Sequence, residues 1–134
     1  MTFDMYSEII LDYYRNPRNF GKLENFDFSA EDANPLCGDK ISMQAKVTKG
    51  KIDKILFSGK GCAISQASAS MLTELVEGRS VEDVAKMNKQ ELLDTLGISL
   101  SAVRLKCALL GFKVLKMGVF SFLGKNMTEE VYED

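Results

Sequence analysis

The pattern of apolar and polar residues predicts a helix followed by a hairpin of strands. In the first segment the apolar residues recur at the spacing of one helix face, which indicates a helix over residues 3–15. Pro17 should end this helix, because the residue before a proline disfavours the helical conformation. Residues 41–47 then alternate between apolar and polar side chains and predict a half-buried strand. Residues 52–57 predict its antiparallel partner across a short turn.

The rest of the pattern adds one weak strand and four helices. The weak strand is predicted over residues 25–28, and a helix rich in small apolar residues over residues 64–77. Two short helices should begin at Ser80 and Asn88, which are good helix N-caps. A long helix is predicted over residues 99–117. Because the strands precede most of the helices, we expect an α+β fold, with an antiparallel three-stranded sheet and helices mainly on one face.

The length and the charge of the chain argue against several classes of function. The 134 residues fit one domain, and no linker divides residues 1–134. The 17 basic residues against 19 acidic ones argue against nucleic-acid binding. The longest stretch without a charge, residues 61–73, is shorter than the ~20 apolar residues of a membrane span. Asp4 and Glu8 lie where a secretory signal would be basic, so we expect a cytoplasmic protein.

The chain contains no histidine, and this excludes much chemistry. Catalysis by Ser/His/Asp or Cys/His groups is excluded, as are zinc sites that need histidine ligands. Any bound metal must therefore be held by cysteine, aspartate or glutamate side chains.

The three cysteines lie in three different predicted elements. Cys37 is in a polar loop two residues before Asp39, where packing explains a cysteine poorly. Cys62 follows Gly61 at the start of a predicted helix, and such a position favours a thiolate; a buried thiol would fit there as well. Cys107 lies on an apolar helix face, where a cysteine commonly fills the core. Taken together, three thiolates and one carboxylate are enough ligands for Zn²⁺ or for iron.

Four motifs, in this order, resemble the family of iron–sulfur cluster assembly proteins that includes the NifU N-terminal domain, IscU and SufU. The resemblance covers nearly the whole chain. The motifs are YYRNPRNFG at residues 13–21, NPLCGD at residues 34–39, GCAIS with ASAS at residues 61–70, and RLKCA at residues 104–108.

The resemblance implies a function and a set of site residues. Cys37, Asp39, Cys62 and Cys107 are expected to meet at one exposed end of the fold and to hold a transient iron–sulfur cluster, which we expect to be [2Fe–2S]. The three cysteines are the candidate acceptors of persulfide sulfur from a cysteine desulfurase, and apo-proteins would receive the cluster. Such a protein is a scaffold more than an enzyme.

Two departures from the IscU type keep other functions open. Lys106 stands where IscU proteins have a histidine, and the segment that binds an Hsp70-type chaperone in IscU reads LSAVR at residues 100–104, so no such chaperone is predicted. Lys106 and Arg104 are the cations expected to assist sulfur transfer electrostatically. One alternative is a zinc-dependent sulfur acceptor of the SufU type, although the separation of Cys62 and Cys107 leaves no room for the insertion usual in SufU. The other alternative is an adaptor with a structural zinc site.

Overall fold

A three-stranded antiparallel sheet carries the helices on one face, as a computed structural model shows for residues 8–35, 38–97 and 99–124. The order of the strands in the sheet is β1-β2-β3. This architecture confirms the predicted fold class. The elements are α1 (Glu8–Arg15), β1 (Phe28–Asn34), β2 (Asp39–Thr48), β3 (Lys51–Lys60), α2 (Ala63–Val76), α3 (Val81–Lys86), α4 (Lys89–Leu96) and α5 (Ala102–Leu123).

The central strand β2 supplies the inner face of the sheet through its alternating pattern. Its residues Ile41, Met43 and Ala45 are buried, and Met43 pairs with the buried Phe57 of β3. The predicted hairpin is therefore confirmed, with both strands longer than predicted. The alternation places every second side chain of β2 in the core because successive residues of a strand point to opposite faces.

The first strand differs from the prediction. It runs over Phe28–Asn34, whereas the apolar pattern suggested residues 25–28. Its sequence, FSAEDAN, contains few of the aromatic and β-branched residues that favour strands, and only its two ends are buried. Pairing with β2 from Phe28 opposite Ala45 to Asn34 opposite Asp39 holds it in place. Local propensity could not show a strand whose stability comes from its neighbour.

Two helices form the layer that covers the sheet. α5 packs on β1 and β2, α2 packs on β3, and the two helices contact each other. Small residues allow their close approach, since a Cβ at Gly111 would lie 3.3 Å from the Cα of Ala69. None of the described helices is long and apolar enough to cross a membrane.

The last helix also differs from its predicted bounds of 99–117. It begins after Ser101, whose Oγ accepts a hydrogen bond of 3.3 Å from the backbone N–H of Arg104. It continues through Gly118, which packs against Phe28 rather than ending the helix. It ends at Gly124, which adopts a left-handed conformation with φ 75°.

The shorter helices begin where the sequence predicts. The Ser80 hydroxyl caps α3 by accepting the Asp83 N–H at 3.0 Å, and the Asn88 side chain caps α4 by accepting the Gln90 N–H, also at 3.0 Å. The described part of α1 agrees with the predicted first helix, whose residues 3–7 lie outside the described residues. These caps fix where α3 and α4 begin.

Candidate metal centre

Three elements bring two thiols and one carboxylate together at one end of the sheet. Asp39 is the first residue of β2, Cys62 lies directly before α2, and Cys107 is in the second turn of α5. The Cys62 and Cys107 sulfur atoms and one Asp39 carboxylate oxygen all lie within 4.8 Å of one another. One ion could therefore contact all three side chains after small adjustments.

Asp39 is tied to the start of α2. Its side chain is buried, with only 1% of its surface exposed. One carboxylate oxygen accepts the Cys62 backbone N–H at 3.0 Å, and the other lies 3.5 Å from the Cys62 thiol, which donates to it. The Cys62 side chain does not itself cap α2. The carboxylate of Asp39 therefore takes the place of a cap at the positive end of the helix dipole.

Gly61 makes this arrangement possible. Its φ is +156°, and a Cβ at this position would lie 2.6 Å from Asp39 Cγ and 2.6 Å from Ser65 Oγ. Both distances are too short for real atoms, so only glycine lets the carboxylate reach Cys62. The glycine just before the helix-start cysteine is thus explained by the site rather than by a turn.

The two described thiols differ in their access to solvent. Cys62 is half-buried, whereas Cys107 has no exposed surface and belongs to the hydrophobic core. A molecule that approaches from solvent therefore meets Cys62 before Cys107.

The structure brings together three of the four predicted ligands. Cys37 lies outside the described residues. Of the two predicted assisting cations, Lys106 is exposed and lines a neighbouring cleft, and Arg104 is half-buried in the first turn of α5. Ser65, which no sequence pattern singled out as a site residue, has its hydroxyl 3.9 Å from the Cys62 sulfur. Its position three residues after a helix-start cysteine is a signal that could have identified it.

A cleft of about 300 Å³ opens between the end of β1 and α5, beside the candidate site. Asn34 and Pro35 line one side, and Leu109 and Leu110 line the other, together with an ion pair of 2.8 Å between Lys113 and Asp32. Burial raises the pKa of Asp32, but hydrogen bonds from Lys113 and from the Ala33 N–H outweigh it and leave this pKa below its ordinary value. The cleft therefore keeps a charged ion pair at its edge.

The donor set fits a thiophilic metal. Sulfur ligands favour zinc and iron–sulfur centres over magnesium or calcium, and a carboxylate completes many zinc sites. Three side chains are one ligand short of a tetrahedral site. The fourth ligand would come from another side chain of this chain, from a partner or from the bound substrate.

Comparison with known proteins identifies the family of the chain. The family described as "NifU-like N terminal domain" matches residues 5–129. The chain therefore belongs to the NifU N-terminal domain family, as its motifs predicted.

Relatives of two named kinds align over most of the chain. The scaffold protein IscU 1 of Archaeoglobus fulgidus, named for iron–sulfur cluster assembly, is 34% identical over 122 residues, covering 91% of this chain and 79% of the relative. The zinc-dependent sulfurtransferase SufU of Bacillus subtilis is 35% identical, covering 91% of this chain and 94% of the relative. Its alignment runs over 139 positions, more than this chain contains, so SufU carries residues that this chain lacks.

Solved structures share the fold. The SufU protein of Fervidobacterium islandicum AW-1 superposes with a TM-score of 0.75 at 27% identity, covering 89% of this chain and 99% of that protein. The N-terminal part of a NifU-like protein from Brucella abortus, at 23% identity and a TM-score of 0.73, has the same fold.

Proposed function

We propose that this protein is an iron–sulfur cluster assembly scaffold. It accepts persulfide sulfur from a cysteine desulfurase and assembles a labile cluster on Cys37, Asp39, Cys62 and Cys107 for delivery to apo-proteins. The observation that carries this proposal is the convergence of the Asp39, Cys62 and Cys107 donor atoms within 4.8 Å. The IscU relatives, which are named as scaffolds, support it.

The first chemical step is sulfur transfer to a thiolate of this chain. The thiolate attacks the outer sulfur of the donor's persulfide, a new S–S bond forms, and the donor's S–S bond breaks to release its thiolate. Cys107 has no exposed surface, so Cys62 or Cys37 is the first acceptor, and Cys107 serves mainly as a ligand. Lys106 and Arg104 are the cations that assist the approach of the negatively charged persulfide.

The ligand chemistry suits a cluster that must leave. Iron and sulfide are the cargo in this proposal, and a [2Fe–2S] cluster is the expected product. Each transferred sulfur becomes sulfide when an external thiol reductant supplies two electrons, which breaks the persulfide S–S bond, restores the cysteine thiolate and leaves the reductant as a disulfide. A carboxylate oxygen holds a soft iron–sulfur centre less firmly than a thiolate does. Asp39 therefore makes the assembled cluster easier to release to a recipient.

A zinc-dependent sulfur acceptor is the second candidate function. The same donor set is suited to Zn²⁺, and the Bacillus subtilis relative is named as a zinc-dependent sulfurtransferase. In this function one thiolate leaves the metal to take sulfur, and no cluster is built.

The proposal also extends to partners and organisation. The partners are a cysteine desulfurase and recipient apo-proteins, and an Hsp70-type chaperone is not included because residues 100–104 differ from its binding segment. The family match over residues 5–129 supports a single domain. The cytoplasm is the proposed compartment, because cysteines that must act as thiolates are kept reduced there.

Anaerobic reconstitution tests the proposal. The purified protein is incubated with Fe²⁺, L-cysteine, a thiol reductant and a cysteine desulfurase while visible absorption is recorded. We expect a sulfide-to-iron chromophore in the wild type and its loss in Cys37→Ala and Cys62→Ala. Asp39→Ala should change the yield or lifetime of the chromophore. Asp32→Ala, which removes a carboxylate from the neighbouring cleft, is the matched control and should change neither.

The other outcomes separate the candidates. Zinc binding without a chromophore, together with faster desulfurase turnover, would establish the sulfur acceptor. Zinc binding with no effect on the desulfurase would leave only the structural zinc adaptor. A protein that binds neither metal and forms no chromophore would contradict all three functions.

A further inference from the structure

Ser65 lies beside the candidate metal centre without being a ligand. It is in the first turn of α2 and has no exposed surface. Its hydroxyl donates a hydrogen bond of 3.1 Å to the carbonyl oxygen of Cys62 and lies 3.9 Å from the sulfur of the same residue. The single proton of the Cys62 thiol has the Asp39 carboxylate as its nearer acceptor, at 3.5 Å, which leaves the sulfur lone pairs to accept a hydrogen bond.

The carbonyl of Cys62 does not depend on the hydrogen bond that Ser65 donates. The Cys62 carbonyl also accepts the backbone N–H of Gln66 at 3.1 Å, so it keeps a partner if the serine turns away. A serine hydroxyl rotates about its C–O bond and can choose between nearby acceptors. The sulfur of Cys62 is the other acceptor within reach.

Metal binding would change which acceptor forms the stronger hydrogen bond with the Ser65 hydroxyl. A thiolate bound to a metal has lost its proton and can only accept hydrogen bonds. Hydrogen bonds to charged acceptors are stronger than those to neutral carbonyls. The hydroxyl of Ser65 should therefore turn from the carbonyl to the sulfur when a metal is bound.

We propose that Ser65 is a positioning residue that donates a hydrogen bond to the metal-bound sulfur of Cys62. This inference rests on the proposed function, since it needs a metal on Cys62. The bond orients the ligand and withdraws electron density from the sulfur, as partners outside the ligand shell commonly do in metal sites. Gly61 contributes by leaving the space that a Cβ would fill against the Ser65 oxygen.

Ser68 provides a matched control within the same helix. It is also fully buried, and its hydroxyl donates in the same way, to the carbonyl of the residue three positions earlier, at 3.2 Å. That carbonyl belongs to Ser65, so Ser68 lies one turn further from Cys62. Ser65→Ala and Ser68→Ala therefore remove the same group from the same kind of environment, and alanine retains the helix.

The test uses Co²⁺ alone as the probe, titrated anaerobically into the full-length wild type and both variants. Thiolate-to-cobalt charge-transfer absorption reports directly on the electron density of the sulfur ligands. We expect Ser65→Ala to shift this absorption to longer wavelength and to raise the Co²⁺ dissociation constant on the order of 10-fold. Ser68→Ala should keep the wild-type spectrum, and both metal-free variants should show the same unfolding midpoint in urea.

Two results would overturn the inference, and they differ. If Ser65→Ala and Ser68→Ala give the same spectrum and the same Co²⁺ affinity, Ser65 has no special role, while the metal centre stands. If the wild type shows no thiolate-to-cobalt absorption, the metal centre of the proposed function fails and the inference fails with it.

Discussion

Each end of the sheet has a glycine that leaves room for a side chain, but the side chains differ in kind. At one end Gly61 leaves room for the Asp39 carboxylate, and at the other Gly118 leaves room for the ring of Phe28. A Cβ at Gly118 would lie 2.6 Å from that ring, which is as close as the contact that Gly61 avoids with the Asp39 carboxyl carbon. One close approach buries a carboxyl group beside two thiols, and the other buries an aromatic ring in the core.

The two ends differ in the contacts that hold the buried group in place. At the aromatic end the contacts are apolar, and Phe28 also packs against Phe122 at 6.0 Å between ring centres. At the metal end the buried group is a carboxylate, which is costly to remove from water unless it is hydrogen-bonded or holds a cation. The burial of Asp39 therefore depends on its hydrogen bonds from Cys62, whereas the burial of Phe28 depends on apolar contacts alone. Substitutions at Gly61 and Gly118 test this difference, and substitutions at Lys116 and Gln66 test two further buried polar side chains.

Replacement of Gly61 should have the largest effect. Gly61→Ala places a methyl group against the Asp39 carboxylate and strains the backbone, so we expect the free energy of unfolding to fall by about 3–5 kcal/mol. Co²⁺ binding should be lost as well. Urea unfolding and a Co²⁺ titration measure the two effects.

The control for this variant is Gly50→Ala in the turn between β2 and β3. Gly50 also has a positive φ, of 78°, but no atom lies within 4 Å of its missing Cβ. This variant should lose only about 1 kcal/mol from backbone strain and retain Co²⁺ binding. Equal losses in the two variants would show that the contact with Asp39 is unimportant.

Replacement of Gly118 should destabilise the protein without affecting the metal centre. The added methyl group collides with the ring of Phe28, and we expect a loss of about 1–3 kcal/mol in the free energy of unfolding. Phe28→Leu in the same chain should recover part of this loss, since it makes room for the methyl group. A change in Co²⁺ affinity in Gly118→Ala would contradict the separation of the two ends.

Lys116 should make core stability depend on pH. It is 1% exposed on the middle of α5, its ammonium donates to the Ala85 carbonyl at 2.7 Å, and burial lowers its pKa from 10.5 to about 8. Between these values the unfolded chain binds more protons than the folded one, so the folded state gains stability as the pH rises through this window. The stability of Lys116→Met relative to wild type should therefore fall by about 1–2 kcal/mol from pH 8 to 10.5.

Urea unfolding of both proteins across this pH range measures the effect. Lys113→Met is the control, because Lys113 lies on the same helix but is paired with Asp32 and is partly exposed. A difference between wild type and Lys116→Met that stays constant with pH would show that Lys116 is already neutral, or remains fully charged, throughout.

Gln66 should show the smallest effect. Its side chain is 8% exposed, and its amide nitrogen is buried without a hydrogen-bond partner within the described part of the chain. Gln66→Met keeps the length of the side chain and removes this unpaired donor, so the free energy of unfolding should rise by about 1 kcal/mol. The Co²⁺ spectrum should not change. A loss of stability in a urea titration would indicate that the amide has a partner in solution.

Much of the fold could be predicted from the sequence, and the exceptions have physical causes. Alternation predicted the hairpin, and capping residues predicted the starts of α3 and α4, because both signals are local. The strand β1 was missed because FSAEDAN is stabilised by its pairing with β2. The end of α5 was placed too early because Gly118 contacts a residue distant in sequence, which no local pattern shows.

The candidate site, like the fold, could be predicted only in part. Cys62, Cys107 and Asp39 could be named from residue type and motif, and the structure brings their donor atoms together. The burial of Cys107 could be predicted from its place on an apolar helix face, whereas the helix-start position of Cys62 left its exposure open. The proximity of the Ser65 hydroxyl to sulfur depends on the exact start of α2, which sequence patterns define only to within a few residues.

X-ray absorption at the zinc edge tests the central claim, that Asp39, Cys62 and Cys107 share one metal ion. For the zinc-loaded wild type we predict a mixed ligand shell, with sulfur at about 2.3 Å and oxygen at about 2.0 Å from the metal. Cys62→Ser and Cys107→Ser should each lose one sulfur ligand, while Ser68→Ala should match the wild type. A shell of oxygen alone, or a sulfur count that neither cysteine variant changes, would contradict the claim.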